Sequence, residues 1–426
     1  MSWSLRGLDV FFVLPRLLLL MLCGLIPLIT VDVYGGGGGG EGTRNFPSKL
    51  AVGDIVHVAT GEKVSFSQLM DFIEEARIVY VGEVHTNAES HEVQLQLLRE
   101  FYDKYGDDVA IGMEMFKRPY QGVLDRWSRG EITEEKLLEG SRWEQEWGYD
   151  YDLYNDILDF ARQKGIPIIA LNVSKELQKK VSRKGLDGLS YSDRRKLPAI
   201  DTSDKYHRRY LQKIFESHMD KGGDFEKFYD VQCVWEDVMA DSISRYLLSP
   251  EGKDKRFLAF VGDSHIVYHF GVPKRVFRST HLPYATVYTY ELMPEEPDNE
   301  DDDGEKDEDE EHGLFLDDIP LQPADFVRVI HPARRQEKRA VLGVMVRDIG
   351  SDKVVIQDVL KGSPAELAGL QVGDIILSMD GQGMKEVQDV ILHLHGKKLE
   401  EECNMEISRD GRKHLIEVSF FEFKRE

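Results

Sequence analysis

Cysteine is nearly absent from this chain of 426 residues: there are three, Cys23, Cys233 and Cys403, with no paired spacing. That excludes a disulfide framework or a zinc knuckle and leaves Cys233 and Cys403 as ordinary buried residues. Basic charge is also scarce. Lysine and arginine number 54 against 77 acids, a formal net charge of −23, which excludes a general affinity for nucleic acid. The excess is local, because Glu295 to Glu311 holds thirteen acids and one lysine. Long apolar runs are missing but for one, Leu17 to Val31, about fifteen residues where a spanning helix needs about 20. Arg6 and Arg16 precede it and acids follow, the pattern of an exported chain with its N-terminus in the cytoplasm. A cleaved signal peptide and an uncleaved anchor both fit residues 1–34, since no A-x-A site follows. Leu22 is too large to make Cys23 a lipidation site.

Two stretches present in the chain repeat one pattern. Ile78 to Val81 and Phe257 to Val261 are apolar runs without polar alternation, as in strands buried on both faces of a parallel sheet. Each stops at glycine and is followed by an acid and a histidine, Gly82-Glu83-Val84-His85 and Gly262-Asp263-Ser264-His265. Ligands of such sheets sit at the carboxyl ends of the strands. Glu114, just past the run Val109 to Met113, falls at the same edge. His85, Glu114 and His265 are therefore expected to converge and to suit a divalent metal, with Glu83 as the base that activates water if the site is hydrolytic. The residues equally suit histidines that cap loops and a Glu114 paired with Lys117 or Arg118. The H-E-x-x-H zinc helix is excluded, because His91-Glu92 is followed at 95 by leucine.

The expected architecture is α/β: a parallel sheet flanked by helices with a large helical insertion over 175–248, followed by a smaller β-rich α+β domain. The boundaries are a leader at 1–34, a glycine-rich spacer at 35–50, the α/β domain at 51–293, an acidic disordered linker at 294–337 and the last domain at 338–424. In the helix Phe225 to Leu248, the residues Phe228, Tyr229, Gln232, Trp235, Glu236 and Met239 share one stripe, more in keeping with core than with a cofactor box.

The last domain carries Leu342-Gly343-Val344, Gly362-Ser363-Pro364-Ala365, Val372-Gly373-Asp374-Ile375-Ile376 and Asp380-Gly381. It resembles a bacterial-type PDZ domain. The resemblance implies capture of a partner's C-terminal peptide, with the amides of Leu342, Gly343 and Val344 receiving the carboxylate and Val387 and Ile391 lining the apolar pocket. Residues 51 to 290 resemble the ChaN haem-binding family of the Tiki and erythromycin-esterase superfamily through GEVHTNAESHEVQ, GMEMFKRPYQGVLD, WGYDYDLYNDILDFA, IPIIALNV, FYDVQCVWEDVMA and GDSHIVYHFGVP. That resemblance implies haem as cofactor, a tyrosinate iron ligand, homodimers, a role in haem or iron uptake, and a place outside the cytoplasmic membrane. Tyr229 is the preferred ligand, with Tyr149, Tyr151 and Tyr268 as competitors and His91 contacting the site. A metal-dependent hydrolase of the Tiki kind and a peptide-binding scaffold without chemistry are the alternatives.

Overall fold

The computed structural model describes residues 47, 49–218, 223–293, 321–333, 341–349, 353–395, 397 and 399–421. The leader, the glycine run and the acidic run 295–311 lie outside the described residues, as does the side chain of Ile391. No helix among the described residues is long and apolar enough to cross a membrane. The chain divides into two compact units, 1–130 with 150–332, and 131–149 with 333–426.

The first unit is built on an eight-stranded sheet. Its strands are β1 (Ile55–His57), β2 (Glu62–Val64), β3 (Ile78–Glu83), β4 (Val109–Lys117), β5 (Ile168–Asn172), β6 (Arg256–Gly262), β7 (Tyr284–Glu291) and β8 (Phe326–Ile330), in the order β2-β1-β8-β7-β3-β6-β4-β5. The six strands from β8 to β5 run parallel, and β1 and β2 close one edge antiparallel, so the sheet is mixed rather than parallel throughout. Every residue of β3 and β4 is buried, as expected of runs without polar alternation covered on both faces. β8 lies inside the span read as a linker. Phe326, Val327, Val329 and Ile330 are buried, with β7 on one side and β1 on the other, and five apolar-rich residues cannot stay solvated once a sheet edge offers them pairing. The disordered reading of 294–337 is therefore wrong at 326–330.

Helices of the first unit are α1 (Phe66–Phe72), α2 (Ala88–Tyr105), α3 (Gln121–Ser128), α4 (Asn155–Lys164), α5 (Lys175–Lys184), α6 (Lys205–His218), α7 (Phe225–Leu247) and α8 (Val272–Thr280). Asn87 caps α2 by accepting from the Glu89 amide, which fixes where the chain turns from β3 into the helix. α7 is buried along most of its length and packs on α5, α8 and β5, with Val234, Trp235, Val238 and Met239 in the core. The helical insertion is as expected.

The second unit is an antiparallel sheet of β9 (Val344–Asp348), β10 (Val354–Val359), β11 (Ile375–Met379), β12 (Gln382–Gly383), β13 (Glu402–Arg409) and β14 (Arg412–Ser419), in the order β14-β13-β11-β10-β9 with β12 on β11. Helices Pro364–Leu367 and Val387–His395 complete it around Leu342, Ile356, Ile376, Met379, Met405 and Ile407.

Candidate functional site

β3 and β6 are neighbours, paired with Glu83 opposite Gly262, and β4 flanks β6 on its other side. The ends of three strands thus meet at one edge. Glu114 Oε2 accepts from the Gly262 amide at 2.8 Å, and His265 Nε2 lies 3.6 Å from Glu114 Oε1. A Cβ placed on Gly262 would stand 3.2 Å from His85 Nε2 and 3.7 Å from Glu114 Oε2. His85 and His265 therefore border the same carboxylate, as the strand pattern required. Glu114 is not paired with Lys117 or Arg118: the Lys117 ammonium is 3.5 Å from the Glu114 carbonyl, and Arg118 pairs with Asp241.

Each imidazole is backed by a buried acid. Glu83 Oε1 accepts from His85 Nδ1 at 2.8 Å and from the Tyr154 hydroxyl at 2.9 Å, and Glu83 Oε2 accepts from Gln94 at 2.8 Å. Both oxygens are engaged, so Glu83 orients His85 and does not face open space as a water-activating base would; that assignment is corrected. His91 is buried in the same network, 3.6 Å from Glu83 Oε2 and 3.3 Å from the His85 carbonyl, and is a support rather than a contact for a ligand.

The second acid-histidine pair is built differently. Asp263 turns back into the sheet, where its carboxylate takes the Thr289 amide at 3.2 Å and the Thr289 hydroxyl at 2.9 Å. Burial pushes its carboxyl well above the usual range. His265 is held instead by Glu236 from α7, at 3.5 Å from Nδ1. Glu236 Oε1 also meets His207 Nε2 at 3.2 Å, and Oε2 pairs with Arg275 at 3.1 Å. Arg275 lies 3.2 Å from Asp237 as well.

The charges follow from these contacts. Burial alone would raise the Glu114 carboxyl, but His265 and His85 beside it and the Gly262 amide bring it down to about 2. Burial alone would lower His265, and the Glu114 and Glu236 carboxylates push it up to about 10. Against the cost of burial, His207 and Arg275 hold Glu236 well below the usual carboxylate range. Sequence reasoning put Glu236 on a core stripe and passed over His207 and Arg275; an acid on a stripe that carries Trp235 and Met239 was the signal available.

The tyrosines differ sharply in access. Tyr229 is 1% exposed, and its hydroxyl lies 3.4 Å from the Thr202 carbonyl and 3.3 Å from that of Asp204. Burial raises its pKa far above the ordinary value. A tyrosinate ligand must reach the iron and lose its proton, so Tyr229 does not fit, and neither does Tyr268, also 1% exposed. Tyr149 is half-buried. Tyr206, which sequence reasoning missed, is 48% exposed on α6, and Arg209 and Lys213 follow it on the same exposed face.

In the second unit β9 is an edge strand. The Leu342 and Gly343 carbonyls are turned inward to the amides of Ala365 and Leu360. Gly343 has φ +78°, and a Cβ there would come within 2.2 Å of Ser363 Cβ, so glycine is required. Val387 is partly buried against the core, its amide donating to Asp348 at the end of β9.

An α/β domain with paired imidazoles at its sheet edge, joined to a peptide-binding unit, is thus the class of protein the geometry defines. Residues 69–276 match the family model described as haem-binding uptake, Tiki superfamily, ChaN, and residues 340–420 match the PDZ domain. The chain thus contains a ChaN-like α/β domain followed by a PDZ domain. It is 33% identical over 92 residues to a probable periplasmic serine endoprotease, DegP-like, of Pseudomonas putida, covering 19% of each chain. A protein of the same description from Ectopseudomonas mendocina is 30% identical over 112 residues, covering 24% of each. The chain spans about a fifth of the length of these relatives. Among solved structures, ChaN of Campylobacter jejuni with cofacial haem matches 64% of this chain and 95% of its own at 16% identity and a TM-score of 0.47. The HtrA-type protease AlgW with a decapeptide matches 19% and 28% at 22% identity and a TM-score of 0.19.

Proposed function

We propose that the protein takes up or passes on haem outside the cytoplasmic membrane, and that its PDZ domain brings a partner's C-terminus to the same chain. The observation that carries the haem reading is the match of residues 69–276 to the haem-binding family. Tyr206, half-exposed on α6, has the access an iron ligand needs, and Arg209 and Lys213 are placed to meet haem propionates. Tyr149 is the second candidate. Export rests on the basic-then-apolar leader and on the periplasmic description of the relatives. A dimer enclosing two haems is part of the same reading.

A second reading, a metal-dependent hydrolase, is favoured by one observation, the meeting of His85 and His265 at Glu114. His85, Glu114 and His265 would hold the ion, which would supply Lewis acidity, while Glu83 and Glu236 hold the two imidazoles in orientation. Haem is preferred because these ligand atoms are not drawn into one closed group.

The deciding experiment adds haemin to the purified protein, follows the absorption spectrum, and measures metals on the same sample. The haem reading expects a stoichiometric tyrosinate-type spectrum that Tyr206→Phe alters and Tyr229→Phe leaves alone. No haem spectrum, with one equivalent of metal lost in His85→Ala and His265→Ala, would replace it with the second reading.

A further inference from the structure

Among the described residues, one group of histidine, cysteine and acidic side chains has its ligand atoms all within 4.8 Å of one another, and it lies in the second unit: Asp380, His393 and Cys403. Asp380 sits in the turn after β11 with φ +47°. Asp380 makes two hydrogen bonds with the Asn404 backbone in β13: its amide donates to the Asn404 carbonyl at 2.8 Å, and its side-chain Oδ1 accepts from the Asn404 amide at 2.8 Å. That leaves Oδ2 to face His393 Nε2, 2.8 Å away. The other ring nitrogen, Nδ1, lies 3.0 Å from Gln382 Oε1. Cys403, read from the sequence as an ordinary buried residue, closes the group from β13 at 0% exposure.

We propose that Asp380, His393 and Cys403 form a binding site for a thiophilic divalent cation of the zinc type, with water on the solvent side as fourth ligand. Thiolate, imidazole and carboxylate together are a zinc donor set, and Zn–S of about 2.3 Å with Zn–N of about 2.0 Å places tetrahedral ligand atoms roughly 3.3–3.6 Å apart. The present group, with its ligand atoms within 4.8 Å of one another and His393 Nε2 at 2.8 Å from Asp380 Oδ2, needs its separations to change by no more than about 1.5 Å to reach that. Gln382 supplies the outer partner that metal-bound imidazoles have: with Nδ1–H donated to Gln382, the Nε2 lone pair points at a carboxylate oxygen, an arrangement that a cation between the two resolves. The ligands come from a turn, a helix and a strand, which the fold brings together without the paired cysteine spacing a sequence search relies on.

One charge stands in competition. Lys397 Nζ lies 2.9 Å from Asp380 Oδ2 and 2.9 Å from the Glu402 carbonyl. Binding is therefore an exchange: the Lys397 ammonium leaves Asp380 for water, the Cys403 S–H bond breaks with its proton passing to solvent, and a metal–sulfur bond forms. No redox step is involved. A thiol keeps its proton near neutral pH and must release it to bind the ion, so affinity rises with pH.

The test uses the full, haem-free chain, stripped with a chelator and titrated with cobalt(II). The expected result is a near-ultraviolet thiolate-to-cobalt band reaching one equivalent, about one proton released per ion in weak buffer, and displacement by zinc. Lys397→Gln should tighten binding by about two- to fivefold, the order of one surface ion pair removed, whereas a merely structural ion cluster has no metal affinity to gain. Cys403→Ser should abolish the band in a protein whose circular dichroism in chelator still shows the folded parent, and His393→Ala should weaken binding. The acidic and imidazole groups at the first unit's sheet edge contain no cysteine and cannot give this band. No band in either the parent or Lys397→Gln, or a band that persists in Cys403→Ser, would overturn the proposal.

Discussion

Replacing Arg275 by methionine keeps the aliphatic stem and removes the guanidinium from a site that is 4% exposed. The guanidinium stands 3.1 Å from Glu236 and 3.2 Å from Asp237, and Nη1 also donates to the carbonyls of Phe270 at 2.9 Å and Gly271 at 3.2 Å. Breaking a buried pair by removing one partner costs about 3–5 kcal/mol, because a carboxylate is left desolvated without its cation. For a unit of this size each kcal/mol moves the midpoint by about 2–4 °C, so Tm should fall by about 6–20 °C. The reasoning also fixes a pH dependence. In the parent Glu236 stays ionised at all moderate pH, whereas in Arg275→Met both carboxyls gain protons readily and the penalty relaxes as pH falls. Thermal unfolding of the two proteins at pH 7.5 and 5.5 checks both statements. A loss below about 2 °C, or a deficit equal at the two pH values, would refute the account of Arg275 as the cation that makes burial of Glu236 tolerable.

Gly82→Ala should cost at least about 1–3 kcal/mol, since the new Cβ would fall 1.8 Å from Asp263 Oδ1; a denaturant melt indistinguishable from the parent would contradict the tight seam between β3 and β6. In the second unit Gly343→Ala should abolish binding of an apolar C-terminal peptide, measured by fluorescence polarisation, because of its φ of +78° and the contact with Ser363; retained affinity would move the carboxylate site elsewhere. The His265–Glu114 pair should shape stability at both pH limits. His265, raised from 6.5 to about 10, contributes fully below pH 6.5 and loses its contribution as pH rises through about 10, while Glu114, lowered from 4.5 to about 2, contributes above pH 4.5 and loses it as pH falls through about 2. A pH series of melts on His265→Gln should show a flattened alkaline decline, and an unchanged one would mean that the pair is not coupled as described.

The sequence by itself determined much of the scaffold. Runs such as Ile78 to Val81 and Phe257 to Val261, apolar at every position, admit only strands buried on both faces, and β3 and β6 are those strands. Parallel strands share a carboxyl edge, so His85, Glu114 and His265 had to lie along it, and the adjacency of β3, β6 and β4 brings them together. The glycine and serine-proline segments of the second unit are similarly bound to their turns, as Gly343 against Ser363 shows.

What the tertiary structure decided is which partner each of these residues has. The two glycine-acid-histidine stretches look alike, yet the pairing sets Glu83 opposite Gly262, one residue out of step. Glu83 stays with its own His85, Asp263 turns away to Thr289, and His265 takes Glu236 from a helix thirty residues earlier in the chain. A periodic pattern records which face of an element is buried and says nothing of what is packed on that face. For the same reason Tyr229, attractive on an aromatic stripe, proved to be core, while Tyr206 lies in water on the next helix. β8 escaped notice because the acids before it dominate local composition, whereas its place depends on an unpaired sheet edge formed by residues far away in the chain. The Asp380, His393 and Cys403 group has no spacing to betray it, since a turn, a helix and a strand meet there only once the second sheet has closed.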